Sequence, residues 1–518
     1  MAMTGNRLRR LGAALVGCGV LGACGTTVPV TQQVQSSGGT VDGTGTGLTG
    51  TSGSTGSSSS TSGTGSATGT GSGSSGTATG TGGEAGSSSG SPGSTGQAPV
   101  GVPTSPGQTP GSIPATGPGW DAKHVYVGVT IQSDASAMGK ATGLKSIDYG
   151  DQRGILNAVV AWVNSQGGIQ GRQIVPSVYD VKSTGDATQM GSEACAQWTQ
   201  DRRVISATLV QFISNDNSYS CLSKAKVPTY TGGTNLITRA QLGRYPYLRT
   251  DFSSLERFGP AWIQQLKKMG YFTGWNTSSG APGPAPVKVG LLYQDNTLQT
   301  TAWQLLKKQL EAAGITVVDS VAYKGSQDVG SVPLKFKSDG VTHIFFDGPA
   351  SFYWPAVAES QGYRARYAVN STNSIGPFLA GSAPARQLAG LAGVGWMPQQ
   401  DLSGGQDPPQ TPQQTACLNA MRKAGEDVSE ENPKYLALGF CDLFLRLKVA
   451  AEAAHGLSAG ALFKGMSETA STFKAASSFA AGDFPDQTSL AAVRDLQYVA
   501  SCSCVRYTSG NVRLPSLS

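Results

Sequence analysis

Residue types that do covalent or metal chemistry are sparse in this sequence and do not cluster. Only three histidines occur, His124, His343 and His455. His343 falls in a buried-strand pattern and His455 at the end of a helical one, where positive charge suits the helix dipole. Each reads as structural. There is no H-E-x-x-H metal helix and no phosphate loop. Leu402-Ser403-Gly404-Gly405-Gln406 spells the signature of ABC-transporter ATPases, but without a Walker A motif it reads as coincidence. Asp134, Asp295 and Asp347 sit on loops after different strands and read as solvated loop acids rather than an acid–base pair. What remains is binding chemistry. Polar loops follow the apolar strand patterns: Gln132-Ser133-Asp134, Gln211-Phe212-Ile213-Ser214, Thr231-Gly232-Gly233-Thr234-Asn235, Gln294-Asp295-Asn296, Asp347-Gly348-Pro349-Ala350 and Asn370-Ser371-Thr372. In open α/β sheets, ligands bind at such carboxyl-terminal strand ends. Gly232 and Gly233 permit close backbone approach and Thr234 offers a hydroxyl, although the same spacing serves a plain turn.

The elements that position these loops alternate. From Asp151 to Asp180, apolar residues recur at helical spacing (Ile155, Val159, Trp162 beside Leu156, Val160, Val163). The helix stops at Gly167-Gly168, and Ile174 to Tyr179 reads as a buried strand. Val125 to Ile131 supplies a strand before it. Arg203 to Val210 and Val227 to Tyr230 supply strands after it, with a helix from Thr184 to Gln200 between. Tyr245 to Ser254 is extended and polar, as a first crossing between lobes would be. The βα rhythm restarts at Val287 and runs to Asn370, after a Gly/Pro loop from Thr273 to Pro286. Gly393 to Gln400 reads as a second crossing. Helices, among them Pro433 to Ala454, precede a hairpin from Tyr498 to Leu514, with the third crossing beside it. The expectation is an α/β fold of two lobes, each a parallel sheet flanked by helices, joined by three crossings and facing one another across a cleft.

The first quarter is of another kind. Arg7, Arg9 and Arg10 precede an apolar run, Leu11 to Leu21, too short to span a bilayer, and together they read as a secretion signal. Without those three arginines the charge is 35 basic against 32 acidic residues, too balanced to suggest nucleic acid as a partner. Leu21-Gly22-Ala23-Cys24 resembles a lipobox, in which Cys24 carries the lipid. Leu15-Val16-Gly17-Cys18 also fits, and an ordinary cleaved signal is the plain alternative. Eight cysteines occur; lipidation at Cys24 leaves six, an even number suited to an exported chain. From about Gln35 to Pro118 the chain is Gly, Ser and Thr with late prolines and almost nothing to bury. About 80 such residues reach roughly 50 Å as a flexible tether. The expected organisation is residues 1–23 as signal peptide, 24–120 as tether, 121–253 with 401–495 as the N-terminal lobe, and 254–400 with 496–518 as the C-terminal lobe.

The run A-x-V-N-x-x-G-G-I-x-G-R-x-I-x-x-x-x-x-D, from Ala161 to Asp180, resembles the opening helix and second strand of type I periplasmic binding proteins of the leucine/isoleucine/valine-binding kind. A weaker similarity extends from about Val125 to Arg513. The resemblance implies a disulfide between Cys195 and Cys221; Cys417, Cys441, Cys502 and Cys504 allow three pairings. It also implies that backbone N–H groups at Gly232 and Gly233 and the Thr234 hydroxyl meet the ligand. Gln132, Ser133, Gln211, Phe212, Asn296, Pro349, Ala350, Ser371 and Thr372 join them as candidate contacts. Two positions depart from the family. The acid that holds a ligand ammonium in its amino-acid binders matches Ser371, and an aromatic contact matches Leu298. A buried ammonium lacking a carboxylate is costly, so a neutral or anionic small polar metabolite is favoured, although Asp347 or Asp295 could substitute.

The reading is an extracytoplasmic solute-binding lipoprotein, anchored to the cell membrane by lipid, monomeric, with no cofactor, no metal and no enzymatic activity. Its partners are the small-molecule ligand and an ABC permease. The alternatives are a sensing module without transport, an enzyme on the same scaffold, and a structural envelope protein.

Overall fold

The computed structural model describes residues 113–142, 147–209, 213–232, 235–381, 383–478 and 487–515. The signal segment, Cys24, the tether up to residue 112, and four candidate contacts (Gln211, Phe212, Gly233 and Thr234) lie outside the described residues.

The first lobe is built from β1 (His124–Ile131), α1 (Ala135–Thr142), α2 (Gln152–Ser165), β2 (Gln173–Asp180), α3 (Ala187–Ala196), β3 (Ser206–Leu209), α4 (Asp216–Lys224), β4 (Thr229–Thr231), α5 (Arg239–Arg244) and β5 (Leu248–Thr250). Its sheet runs β2-β1-β3-β4-β5, all parallel. Asp151 caps α2 by accepting from the Gly154 N–H at 2.9 Å, satisfying a donor the first turn leaves open. The apolar face of α2 (Ile155, Leu156, Val159, Val160, Val163) is buried against alternate residues of β1. Gly168, at φ 62°, forms the expected stop; a Cβ there would lie 2.0 Å from the Arg172 carbonyl oxygen. The last residues of the expected tether are not loose. Trp120 donates its indole N–H to the Pro114 carbonyl at 3.0 Å, and both Ile113 and Trp120 pack on the first-lobe core.

The second lobe comprises α6 (Leu255–Lys268), β6 (Trp275–Asn276), β7 (Ala281–Pro282), β8 (Val289–Gln294), α7 (Thr297–Ala312), β9 (Val317–Tyr323), α8 (Ser326–Val329), α9 (Val332–Ser338), β10 (His343–Phe346), α10 (Trp354–Ser360), β11 (Arg366–Asn370), β12 (Ala392–Gly395) and α11 (Pro398–Asp401). The chain then returns to the first lobe. There α12 (Pro412–Ala424), α13 (Glu431–Ala454) and α14 (Ala459–Thr469) share a core with α2 and β1. Finally β13 (Ala492–Val499), β14 (Cys504–Tyr507) and β15 (Val512–Arg513) extend the second sheet, whose order is β14-β13-β12-β11-β10-β8-β9, with β15 on β13. Strands β9-β8-β10-β11-β12 are parallel and repeat the strand order of the first lobe; β13 and β14 are antiparallel additions. Both faces are covered: Leu291 and Phe345 enter one core, Leu292, Ile344 and Phe346 the other.

The middle crossing differs from expectation. Residues 392–395 are not a crossing but the strand β12, where Gly393 approaches β11 so closely that a Cβ would lie 1.9 Å from the Val369 carbonyl oxygen. The chain passes between lobes after Leu402. Residues 494 and 495, expected in the first lobe, pair with β12 in the second sheet. The first and third crossings run side by side: Thr250 and Thr488 form a parallel bridge, and Asp251 accepts from Arg446 at 2.6 Å and Ser489 at 3.1 Å. Cys195 is joined to Cys221, as the resemblance implies, Cys417 to Cys441, and Cys502 to Cys504. Among the described residues no helix is long and apolar enough to cross a membrane, and no group of His, Cys, Asp and Glu could hold a metal ion.

Candidate functional site

Strand order reverses between β1 and β3 in the first lobe and between β8 and β10 in the second, so the loops leaving these strands frame a crevice on each lobe. In the first lobe the β1 exit is fixed by side chains of its own lobe. The Gln132 N–H donates to Gln152 Oε1 at 2.9 Å, and Gln152 Nε2 donates back to the Gln132 carbonyl at 2.7 Å. Gln132 Nε2 donates to Ser183 Oγ at 2.9 Å, and the Ser133 hydroxyl donates to Asp180 at 2.6 Å. Asp134 accepts from the Ser183 hydroxyl at 2.7 Å. These bonds hold the loop in place and already engage both candidate side chains.

The second-lobe loops are fixed by buried acids. Asp347 is 3% exposed and accepts from the Tyr323 hydroxyl at 2.6 Å, the Gln294 N–H at 2.7 Å and the Ala350 N–H at 3.0 Å. Burial raises its pKa to about 6, despite those three donors. It thus ties the β8 exit, the end of β9 and the Pro349–Phe352 turn together. Asn296 caps α7, accepting from the Gln299 N–H at 3.0 Å. Ser371 is wholly buried; its hydroxyl donates to Asp401 at 2.8 Å and accepts from the Trp396 N–H at 2.8 Å. Asp401 also accepts from the Met397 N–H at 2.9 Å and the Tyr507 hydroxyl at 2.6 Å, all at the one oxygen, Oδ2; Oδ1 has no partner. Burial pushes its pKa up to about 7. The Thr372 N–H donates to Asn370 Oδ1 at 2.8 Å. Asp295 is half exposed and faces Lys324 at 3.9 Å.

One contact between the lobes is made at Leu298. Its carbonyl accepts from Gln241 Nε2 of the first lobe at 2.9 Å, and its side chain, 4% exposed, joins the first-lobe cluster of Tyr219, Ile237 and Leu242. Leu298 closes a cavity of about 10 Å³ with Tyr219, Thr231, Asn235, Leu236, Ile237 and Thr250, room for about one water. Asn235 Nδ2 donates to the Ser214 carbonyl at 3.4 Å, while its Oδ1 is buried without a partner. Tyr219 is hydrogen-bonded with Thr231 and Ser214, and burial raises its phenol pKa.

Apart from the four contacts outside the described residues, most of the expected set does not line this cavity. Gly232 adjoins the cavity through Thr231 and has open space about its Cα. Gln132, Ser133, Asn296, Pro349, Ala350, Ser371 and Thr372 sit at the expected strand ends but do not line the cavity. Tyr219 was missed because it lies one turn inside a helix, where spacing gives only core. Asn235 and Leu298 were visible, the one as the last residue of the glycine loop and the other as a departure from an aromatic.

Other motifs resolve as structural. His343 is wholly buried between Thr342 and the Tyr271 carbonyl, to which its Nε2–H donates at 3.0 Å; burial lowers its pKa to about 4. His455 is the left-handed residue ending α13. A nucleophile motif that is not among the sequence expectations, Gly456-Leu457-Ser458-Ala459-Gly460, follows a helix rather than a strand, and Ser458 Oγ caps α14 by accepting from the Ala461 N–H.

A family model described as periplasmic binding protein matches residues 141–492. No curated protein sequence matches the chain. Among solved structures, a branched chain amino acid ABC transporter from Thermus thermophilus with bound valine aligns with a TM-score of 0.56 and 12% identity, over 76% of this chain and 96% of that one. A solute binding protein of an ABC transporter from R. palustris, in complex with 4-hydroxybenzoate, gives 0.54 and 14%, over 76% and 97%. A fatty acid ABC transporter substrate-binding protein from Thermomonospora curvata gives 0.53 and 15%, over 77% and 94%. At such identities the likeness is one of fold.

Proposed function

The chain belongs to the periplasmic binding protein family, and from that premise we propose that it captures a small polar solute between its lobes, outside the cytoplasm, and delivers it to an ABC permease. The observation that carries the reading is the interlobe cavity at the strand ends, with the unpartnered Asn235 Oδ1 on one side and Leu298 on the other. A buried acceptor without a donor costs about 1–3 kcal/mol, which a ligand N–H or O–H would relieve. The cavity is too small for a metabolite, so entry requires the lobes to part, and ligand then shifts the population back to a closed form. The Gly232-Gly233-Thr234 loop and Gln211-Phe212 flank this space in sequence and are proposed contacts.

The acids support a neutral or anionic ligand. Asp347 and Asp401 are buried, already accept hydrogen bonds and titrate well above an ordinary carboxyl; Asp295 faces Lys324. None offers the free carboxylate that an ammonium needs. Lipidation at Cys24, with the Gly/Ser/Thr segment as tether and a monomeric receptor at its end, completes the proposal; binding without turnover is its chemistry.

The test is a thermal-shift screen of the full oxidised chain against amino acids, amides, short acids, sugars and nucleosides. Saturation at about 100 times Kd adds about 2.7 kcal/mol of stability. A hit that also contracts the protein in solution scattering, and that Thr234→Ala weakens with the fold intact, supports the reading. A hit without contraction contradicts capture between lobes.

A further inference from the structure

The disulfides differ in span and in exposure. Cys195–Cys221 and Cys417–Cys441 close loops of sequence separation 26 and 24, and no cysteine of either pair is exposed. Cys502–Cys504 spans a separation of 2; Cys504 is buried, but Cys502 is the one exposed cysteine among the described residues. A bridge this short removes little freedom from the unfolded chain. The turn that carries it is also closed without it. Val499 pairs with Cys504 across β13 and β14, the Cys502 N–H donates to the Val499 carbonyl at 3.3 Å, and the Ser503 N–H donates to the Ala500 carbonyl at 3.2 Å. Between the two cysteines Ser503 stands at φ 49°, in a left-handed backbone region that residues with a Cβ seldom adopt. The bridge therefore adds little to the fold, and its outer cysteine is open to attack by a thiolate.

The bridge lies against the middle crossing. A Cβ on Gly404 would lie 2.8 Å from the Cys504 Cβ, so the two chains touch there. The next residue of β14 clamps the crossing: the Ser403 N–H donates to the Val505 carbonyl at 3.1 Å, and the Val505 N–H donates to Ser403 Oγ at 2.9 Å. Gly404 and Gly405, at φ 68° and 73°, form the joint beyond the clamp, where glycine takes up backbone change at least cost. We propose that Cys502–Cys504 is a thiol–disulfide exchange site for a dithiol reductant, and that its redox state sets how firmly the crossing is clamped to β14. One thiolate of the dithiol attacks Cys502 Sγ; the S–S bond breaks, and Cys504 leaves as a thiolate that takes up a proton. The second thiol of the reductant gives up its proton and attacks the mixed disulfide. The reductant closes to its own disulfide, and Cys502 leaves and is protonated. Two electrons and two protons pass from the dithiol to the protein. The parted sulfurs then move to non-bonded distance, with Gly404 blocking Cys504 on one side. Ser503 is released from its left-handed conformation, the start of β14 loosens, and the Ser403–Val505 bonds open more often.

The experiment equilibrates the full oxidised chain with dithiothreitol at graded ratios of reduced to oxidised reagent, traps free thiols with iodoacetamide, and reads the labelled cysteines by mass spectrometry. Hydrogen exchange of the peptides that carry Ser403 and Val505 is followed alongside, with β1 as the reference. Cys502 and Cys504 are expected to label at a ratio about tenfold or more below that needed for either other pair. The Ser403 and Val505 amides are expected to exchange about tenfold faster after that reduction, with β1 unchanged. Cys502→Ala combined with Cys504→Ala, without reductant, should show the same faster exchange, which separates loss of the bridge from any other action of the reagent. Reduction of all three pairs together, or of Cys502–Cys504 last, would overturn the exchange site. Unchanged exchange at Ser403 and Val505, in the reduced chain or in the double variant, would overturn the control of the crossing. Neither measurement requires an interlobe ligand, so the outcome does not depend on the solute-binding reading.

Discussion

Asp401→Asn is expected to flatten the pH dependence of folding stability. The carboxyl is completely buried and its pKa stands at about 7 against an ordinary 3.8. A folded pKa above the unfolded one means that the folded chain holds the proton more tightly. The penalty for ionising the buried group is absent below about pH 4 and complete above about pH 7, so stability from this residue falls as pH rises through that window. The gap corresponds to about 4 kcal/mol as an upper figure. In the variant, an amide oxygen can take the place of Oδ2 and accept from Ser371, Met397 and Tyr507, while the NH2 occupies the unpartnered Oδ1 position. At pH 5 the folded carboxyl is still protonated and one unpartnered donor is set against another, but the unfolded carboxyl is already ionised, so the variant should be the more stable by about 1–2 kcal/mol. At pH 8 the variant should be the more stable by roughly 2–4 kcal/mol. Urea unfolding of both proteins at pH 5, 6, 7 and 8, followed by tryptophan fluorescence, measures the difference. Asp347 and Asp442 also have pKa values raised to about 6 by burial, but both are common to the two proteins and cancel. An equal loss of stability at pH 5 and pH 8 would refute the reasoning, because it would mean that the ionised carboxylate is what the three donors stabilise.

Tyr323→Phe removes the hydroxyl that donates to Asp347 at 2.6 Å; unfolding at pH 7.5 should show a loss of about 1–3 kcal/mol, smaller at pH 5 where Asp347 is protonated. Replacing Cys417 and Cys441 by alanine opens a loop of sequence separation 24 and should cost about 3 kcal/mol, whereas the Cys502–Cys504 pair, at separation 2, should cost under about 2 kcal/mol; thermal unfolding of the two double variants checks the order. Leu298→Ala removes the apolar side chain that the second lobe sets into the first. Solution scattering of the ligand-free variant should show a larger radius of gyration; an unchanged value would place the lobe contact elsewhere.

The fold was legible where one physical signal dominated. Helical periodicity from Ile155 to Val163, a glycine pair that must turn, and an apolar run ending at Asp180 left little choice for α2 and β2. The middle crossing was not legible for the opposite reason. Ala392-Gly393-Val394-Gly395 has neither bulk nor alternation, and its strand character comes from β11 and β13 on either side, with Gly393 required by the approach to Val369. The same tertiary cause hid β6 and β7 inside a Gly/Pro stretch, where Trp275, buried and donating to the Arg364 carbonyl at 2.8 Å, and the Thr277 carbonyl, accepting from the Arg364 N–H at 2.7 Å, fix the hairpin.

The site divides along the same line. Strand-end loops were found because topology places them, but side-chain roles within them depend on partners distant in sequence. Ser371 marks the sharpest case. Matching by position puts a hydroxyl where amino-acid binders carry an acid, and the structure then sets Asp401, thirty residues on, against that hydroxyl. Proximity alone would restore an ammonium site. Burial argues otherwise: the carboxyl is enclosed, titrates near neutrality, and directs its bonded oxygen at Ser371, Met397 and Tyr507. An acid in that state stabilises the loops around it when protonated and opposes them when charged, which makes it a part of the scaffold and not a counter-ion for a ligand.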